Sequence, residues 1–265
     1  MDKCLTMWWG RGYNKTNYKE SGMSKKEAVE VGIGKLSDKP DEEFISTGYV
    51  ELDSLIGGFA RRRITEVWGK EGVGKSHLMA KCLAEVSKDH KVLYVDAEFA
   101  LNKSRIEALG ANPKNIDYVA LAQLEKVAEL LVREVNNYDL IILDSLAVLT
   151  PLTVETQEVG ENAIGLFSRL IKHWVVKFRP RLAESHTAFV CVNQVRKGFG
   201  MFETDAPPGG KAWSHACDVR IQLSTKSADK IKGEDGKWVG HAVTAKVMKS
   251  RLTQPLGEVK FKVMY

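Results

Sequence analysis

Residues 69–76 read Gly-Lys-Glu-Gly-Val-Gly-Lys-Ser, which matches the pattern G-x-x-x-x-G-K-[ST]. The chemistry of that spacing is phosphate binding. Glycines let the backbone curl so that successive N–H groups point inward at phosphate oxygens. A helix starting at the same place adds its positive end. Lys75 supplies a mobile cation for β- and γ-phosphates, and Ser76 a hydroxyl ligand for Mg2+. The plain alternative is a glycine turn with an incidental lysine. An apolar run before the loop and a helical stretch after it favour the phosphate loop.

Ligands in open α/β sheets sit beyond the carboxyl ends of strands, and three other strand ends carry suitable groups. Leu140–Asp144 is an apolar run ending in an acid, with Ser145 beside it. Asp144 there would hold Mg2+ through water. Val92–Asp96 is followed by Ala97 and Glu98, so this strand ends in two acids, one of which could orient or deprotonate an attacking water. Glu98, just past the strand, is the better placed. Thr187–Asn193 runs into Gln194, whose amide could bind a γ-phosphate and sense its loss. Taken singly, each acid is equally well read as a helix cap or a surface charge. Following a phosphate loop together, they point to one nucleotide site.

Residues 196–210 read RKGFGMFETDAPPGG. The glycines and prolines, among them Gly209 and Gly210, argue against a compact fold here. Arg196, Lys197, Phe199, Met201 and Phe202 combine cations with apolar wedges, which suits single-stranded nucleic acid. The stretch begins one residue after Val195, next to the proposed γ-phosphate sensor, so nucleotide state could order or release it. A surface lid without nucleic acid is the alternative. Thr153–Asn162 is a second candidate segment. Arg169 and Lys172, three apart on the helix that follows, could face phosphates or simply be solvated.

The elements that must position these groups alternate in type. Strands are expected at Ile64–Trp68, Val92–Asp96, Ile116–Ala120, Leu140–Asp144 and Thr187–Asn193, with a helix from the phosphate loop to about Asp89 and another over Gln123–Asn136. Ala163, Ile164, Phe167, Leu170, Ile171, Trp174 and Phe178 mark an amphipathic helix that Pro180 is expected to stop. Such alternation implies a mostly parallel α/β sheet. Val219–Leu223, Trp238–Met248 and Val259–Met264 read as antiparallel additions. Upstream, Ser24-x-x-Glu27 is a capping box, and the polar run from Asp38 to Glu43 reads as the linker between an N-terminal arm, residues 1–42, and the core.

Composition bounds the rest. The chain has 265 residues, 44% hydrophobic and 28% charged, as in an ordinary soluble protein and unlike a disordered one. No apolar run approaches the ~18 residues of a membrane span, and the opening MDKCLTMWWGRG lacks the features of a signal peptide. Cys4, Cys82, Cys191 and Cys217 form no CxxC pair, so reduced thiols in a cytoplasmic protein are expected. Of the net charge of +5, all arises after Ile221, where nine Lys/Arg oppose four acids. A basic C-terminal portion suits a polyanion, another subunit's phosphates or a merely solvated strand face.

In this order, ISTGYVELDSLIGG, the phosphate loop, VDAEFAL, LIILDSLAVLTP, VNQVR, PPGGKAW and VMKSRLTQP resemble the RecA family of homologous-recombination ATPases, from Ser46 to Tyr265. DAE followed by ALN looks like the bacterial and phage branch. The resemblance implies a RecA-like ATPase core over residues 43–265, with a mostly parallel twisted sheet, helices on both faces and antiparallel C-terminal strands. It implies a helical filament on single-stranded DNA, ATP with Mg2+ at each subunit interface, and strand exchange with homologous double-stranded DNA. Carried over by position, Glu98 looks like the catalytic glutamate and Gln194 the γ-phosphate sensor. Ile164 and Phe199 match residues inserted between bases, and Arg169, Lys172, Arg196, Gly209, Gly210 and Lys211 fall at DNA-contacting positions, to which the loop's own chemistry adds Lys197. Lys249 and Arg251, two apart on an expected strand, would reach the neighbouring subunit's ATP. The resemblance implies nucleotide-facing positions at Gly69, Lys70, Glu71, Gly72, Val73, Gly74, Lys75, Ser76, His77, Asn102, Arg105, Asp144, Gln194, Pro255 and Tyr265.

The chain departs from the family at Arg105, where an aromatic residue usually covers adenine, and with Tyr265 as its last residue it is expected to lack the small C-terminal domain of bacterial members. A non-catalytic accessory protein that binds ATP and DNA, or a ring-forming helicase of the same superfamily, are the rival readings.

Overall fold

The computed structural model describes residues 35–152, 163–195, 207–226 and 229–265. By its contacts the chain divides into two units, Met1–Glu42 and Glu43–Tyr265. Among the described residues of the first, Leu36–Asp38 form a 3-10 turn. The helix expected from Ser24 lies outside the described residues.

In the second unit β1 (Phe44–Ile45), α1 (Val50–Ile56) and β2 (Phe59–Ala60) come first, β1 and β2 pairing antiparallel. There follow β3 (Ile64–Gly69), α2 (Lys75–Val86), β4 (Val92–Asp96), α3 (Lys103–Ala108), β5 (Ile116–Ala120), α4 (Leu124–Glu134), β6 (Leu140–Asp144), α5 (Ala163–Glu184), β7 (Ala188–Gln194), α6 (Gly210–Ala216) and β8 (Val219–Ser224). Then come β9 (Lys230–Lys232), β10 (Trp238–Ser250) and β11 (Glu258–Met264).

One sheet runs in the order β11-β10-β8-β3-β7-β6-β4-β5, with β9 on β10. From β8 to β5 every neighbouring pair is parallel. The sequence predicts Val219–Leu223 as an antiparallel addition, and here the structure differs. β8 pairs in parallel with β3 and antiparallel with β10, so the change of direction comes one strand later.

Strand β6 shows why the sheet needs helices on both sides. All five of its residues are buried. Leu140 and Ile142 pack with Leu78, Cys82 and Leu83 of α2, while Ile141 and Leu143 pack with Leu131 of α4 and Trp174 and Phe178 of α5. Alternate side chains of a strand point to opposite faces, so an uninterrupted apolar run demands cover on each.

On α5, Ile171, Trp174, Phe178 and Leu182 form the buried stripe. The expectation that Pro180 stops this helix is corrected, for it continues to Glu184. A proline forfeits the bond to the carbonyl four residues back, that of Val176. Val176 is 66% exposed and Pro180 is also exposed. The gap therefore faces water, which can hydrogen-bond that carbonyl.

Asp218 ties this frame together. Fully buried just before β8, it accepts from the Ile64 backbone N–H at 3.0 Å, from both terminal nitrogens of Arg179 on α5, and from Arg251 at 3.3 Å. Arg63 lies 3.8 Å away. Burial alone would raise this carboxyl, but the Arg179 and Ile64 hydrogen bonds and the nearby guanidinium charges bring it below its ordinary value. Stability from a depressed carboxyl is present above the ordinary 3.8 and is lost as pH falls through the lowered value. Asp218→Asn is expected to cost roughly 3 kcal/mol at neutral pH. The gap from wild type should close in strong acid, as read by denaturant melts across pH.

Candidate functional site

The parallel register brings the sequence-singled residues to one edge of the sheet. Gly69 at the end of β3 pairs with Gln194 at the end of β7, and Asp96 at the end of β4 with Asp144 at the end of β6. The phosphate loop leaves β3 and enters α2 through Gly74, whose φ of +102° is left-handed and favours glycine. A Cβ on Gly74 would lie 3.0 Å from Val263 and 3.3 Å from Val243, so β10 and β11 back the loop. Gly72 is open by contrast, with nothing within 4 Å of that position.

Lys75 is buried, and its Nζ donates to the carbonyls of Gly69 at 3.0 Å and Lys70 at 2.8 Å. Burial lowers its pKa, against the pull of the Glu98, Asp144 and Glu71 carboxylates. Asp144 is also buried. Its Oδ2 accepts from the Tyr94 hydroxyl at 2.7 Å, while its Oδ1 has no hydrogen-bond partner among the described residues. Burial pushes the Asp144 carboxyl up to about 6, with Glu98 and Asp96 adding to the rise and the Tyr94 hydrogen bond and Lys75 opposing it.

The two acids after β4 have separate tasks. Asp96 is spent on structure, accepting from the Glu98 and Leu101 backbone N–H groups and the Tyr118 hydroxyl. Glu98 is half-buried, and its Oε1 accepts from Gln194 Nε2 and from Ser145 Oγ, both at 2.6 Å. One carboxylate oxygen thus joins the ends of β4, β6 and β7.

Ser76, Tyr94, Asp96, Asn102, Arg105 and Asp144 line a cleft beside the loop. Asn102 caps α3 by accepting from the Arg105 N–H at 3.0 Å. Arg105 NH2 lies 2.8 Å from Nδ1 of His77, and burial with the charges of Arg105, Lys81 and His241 pushes His77 down to about 4. At the same side the Tyr265 hydroxyl meets His241 Nδ1 at 2.9 Å, and Tyr265 is 77% exposed. Lys70 and Glu71 are exposed, Val73 is buried, and Pro255 lies in the exposed turn before β11.

A family model, the RecA N-terminal domain, matches residues 20–265. The chain belongs to the RecA family of recombinases. It is similar to Protein RecA of Aquifex aeolicus, 30% identical over 93% of this chain and 76% of that one. Protein RecA of Marinobacter nauticus is 32% identical over 88% and 69%, and that of Zymomonas mobilis 30% over 94% and 76%.

The donors suit a RecA-family nucleotide site. Among the described residues no cluster of three His, Cys, Asp or Glu could hold a metal by itself. Mg2+ needs no such cluster, since it takes one or two protein ligands and fills its shell with phosphate oxygens and water. Ser76 and the unpartnered Asp144 Oδ1, on one cleft, fit that role.

In their own protomer the hydrogen bonds of Lys249 and Arg251 among the described residues go to the end of α6 and to Asp218. Lys249 Nζ donates to the carbonyls of Ser214 at 2.8 Å, His215 at 3.1 Å and Cys217 at 2.6 Å, and Arg251 donates to His215 at 2.8 Å. Burial and the adjacent Arg251 charge lower the Lys249 pKa. The expectation that both sit on one strand needs correction, because β10 ends at Ser250 with a bulge between Val247 and Lys249. They still converge, on the carboxyl end of α6.

Of the DNA-contacting candidates, Arg169, Lys172 and Lys211 are exposed on α5 and α6. Gly210 starts α6 against Ser168, the neighbour of Arg169, and Gly209 takes a φ of +115° beneath Trp213. Arg196, Lys197, Phe199, the Ile164 side chain and Thr153–Asn162 lie outside the described residues. Sequence reasoning missed Tyr94, Glu66, Trp213 and helix α6. A signal for the first two existed: a phenol two residues before Asp96 shares its face, and Glu66 interrupts an apolar strand.

The contrast between the two loop glycines gives a test. Gly74→Ala should lower the stability of the nucleotide-free protein by about 1–3 kcal/mol through strain and contact with Val263. Gly72→Ala, with open space, should cost less, about 1 kcal/mol or under. Thermal melts of the two variants in nucleotide-free buffer check the order.

Proposed function

We propose that this chain is an ATP-dependent recombinase that forms a helical filament on single-stranded DNA and exchanges strands with homologous double-stranded DNA in recombination and repair. The observation that carries this reading is the Glu98 carboxylate held between Ser145 and Gln194. It puts a candidate base beside a candidate phosphate sensor, two residues before the basic, aromatic stretch that starts at Arg196.

Bound ATP with Mg2+ supplies the anhydride to be cleaved and the charge to stabilise it. The chain's own residues do the rest. Backbone N–H groups of Gly69–Lys75 cradle the phosphates, and Lys75 turns from the Gly69 and Lys70 carbonyls to them. Ser76 and Asp144 hold the metal. Glu98 orients the attacking water and takes its proton, and Gln194 contacts the γ-phosphate. His77, Asn102, Arg105 and Tyr265 flank the base. Arg169, Lys172, Gly209, Gly210 and Lys211 face DNA, together with Ile164, Arg196, Lys197 and Phe199. The buried, unpaired Cys82, Cys191 and Cys217 suit the reducing cytoplasm where that DNA lies.

Lys249 and Arg251 act across the filament seam, each entering the ATP site of the next protomer and neutralising charge on the transferred phosphoryl group. Residues 1–42 dock on the adjacent core and hold the filament together.

Joint molecules between homologous substrates should form with wild type plus ATP and Mg2+, and fail with Lys75→Ala. Their absence from the wild-type mixture, with no filaments by electron microscopy, contradicts the reading. Glu98→Gln and Lys249→Ala proteins should each hydrolyse ATP on single-stranded DNA at least about a hundredfold more slowly. Mixed in equal parts, about a quarter of the head-to-tail interfaces regain both groups, so phosphate release should recover toward that fraction. No recovery would contradict action in trans.

A further inference from the structure

Glu66 is a carboxylate in the middle of an otherwise apolar strand, and it is fully buried. A buried charge is costly unless its oxygens are fully hydrogen-bonded. Three donors converge on it from three different elements. Oε1 accepts from Asn193 Nδ2 of β7 and from Trp213 Nε1 of α6, both at 2.8 Å, and Oε2 accepts from Arg220 Nε of β8 at 2.5 Å. An apolar residue of like size would serve stability as well or better, so packing does not account for the acid.

The neighbours of Glu66 do. Asn193 is buried and has a double attachment. Its Oδ1 accepts the backbone N–H of Gln194 at 3.0 Å, and its Nδ2 also donates to Pro208 O at 2.9 Å. Gln194 in turn donates to Glu98. A chain of hydrogen bonds therefore leads from Glu98 through Gln194 to Asn193, which branches to Pro208 and to Glu66, and Glu66 in turn reaches Trp213 of α6. Trp213 stacks on Trp174 of α5 with ring centroids 5.5 Å apart and planes at 16°, so α6 is packed against α5 rather than a loose turn. In register, Glu66, Arg220 and Lys249 form a row across β3, β8 and β10 under α6.

We infer that Glu66 is a positioning residue that couples the sensor end of β7 to the seating of α6 and its glycine start, Gly209–Gly210. The inference rests on the reading that nucleotide state and DNA binding are linked in this protein. A shift of Gln194 toward or away from a phosphate pulls on Asn193. Asn193 shares one donor between Glu66 and Pro208, so the pull redistributes the bonds that set where α6 begins. Glu66 touches neither nucleotide nor DNA and acts through these partners.

Trp213→Phe deletes one donor while keeping the aromatic stack. The variant should keep the unstimulated rate of ATP hydrolysis and the KM for ATP, and lose about tenfold in stimulation by single-stranded DNA, the effect of one buried hydrogen bond to a charged group. Glu66→Gln, which sets an amide among donors, should show the same split. A purely structural role would shift the melting temperature without separating stimulated from unstimulated rates. Hydrogen exchange on the unaltered protein asks the same question without substitution. Amides of residues 209–216 should exchange more slowly with a non-hydrolysable ATP analogue than with ADP.

A wild type whose hydrolysis DNA does not raise overturns the recombinase reading and this inference with it. A stimulated wild type matched by an equally stimulated Trp213→Phe protein, or unchanged exchange at 209–216, overturns the inference alone.

Discussion

Three carboxylates crowd the ends of two adjacent strands, and the site depends on how each is balanced. Asp96 is satisfied by hydrogen bonds, because two backbone N–H groups and a phenol surround it. Among the described residues Asp144 has Tyr94 on one oxygen and no hydrogen-bond partner on the other. Glu98 leans on Gln194 and Ser145. The arrangement requires parallel strands, because only a parallel register brings the carboxyl ends of β3, β4, β6 and β7 to the same edge. The apolar runs that build those strands, and the helices that cover them, are what hold three acids and a lysine at one buried or half-buried edge.

Legibility in the sequence followed the physics of burial. Val92–Asp96, Ile116–Ala120 and Leu140–Asp144 are strands with the boundaries their residue pattern predicts. For β4 and β6 the reason is cover on both faces, which leaves the signal uninterrupted. The Pro180 expectation failed because a local rule about a lost hydrogen bond ignores which side of the helix faces water. Helix α6 was missed because seven residues, Gly210–Ala216, begin with glycine and carry too few turns for a period. It is a helix because Trp213 fills the space over β3 and its indole finds Glu66, a partner 147 residues away in sequence. Glu66 itself looked like an interruption. Its meaning lies in long-range donors that no spacing encodes.

Helix α6 is held at both ends by groups from other elements. Its start is fixed from β3 and β7 through Glu66 and Asn193, and its end is held by Lys249 and Arg251. Under the proposed function the first pair reads the protomer's own nucleotide and the second pair the neighbour's. If Lys249 left the carbonyls of Ser214, His215 and Cys217 for a neighbour's phosphates, as that function requires, assembly and the position of α6 would be linked equilibria. On that reading the nucleotide would bias the position of α6, and filament stability would depend on the nucleotide remaining intact.

That linkage is reciprocal and can be measured directly. Single-stranded oligonucleotide affinity, taken by fluorescence anisotropy at one fixed salt concentration, should be at least about tenfold tighter with a non-hydrolysable ATP analogue than with ADP. Equal affinities in the two nucleotide states would contradict the account.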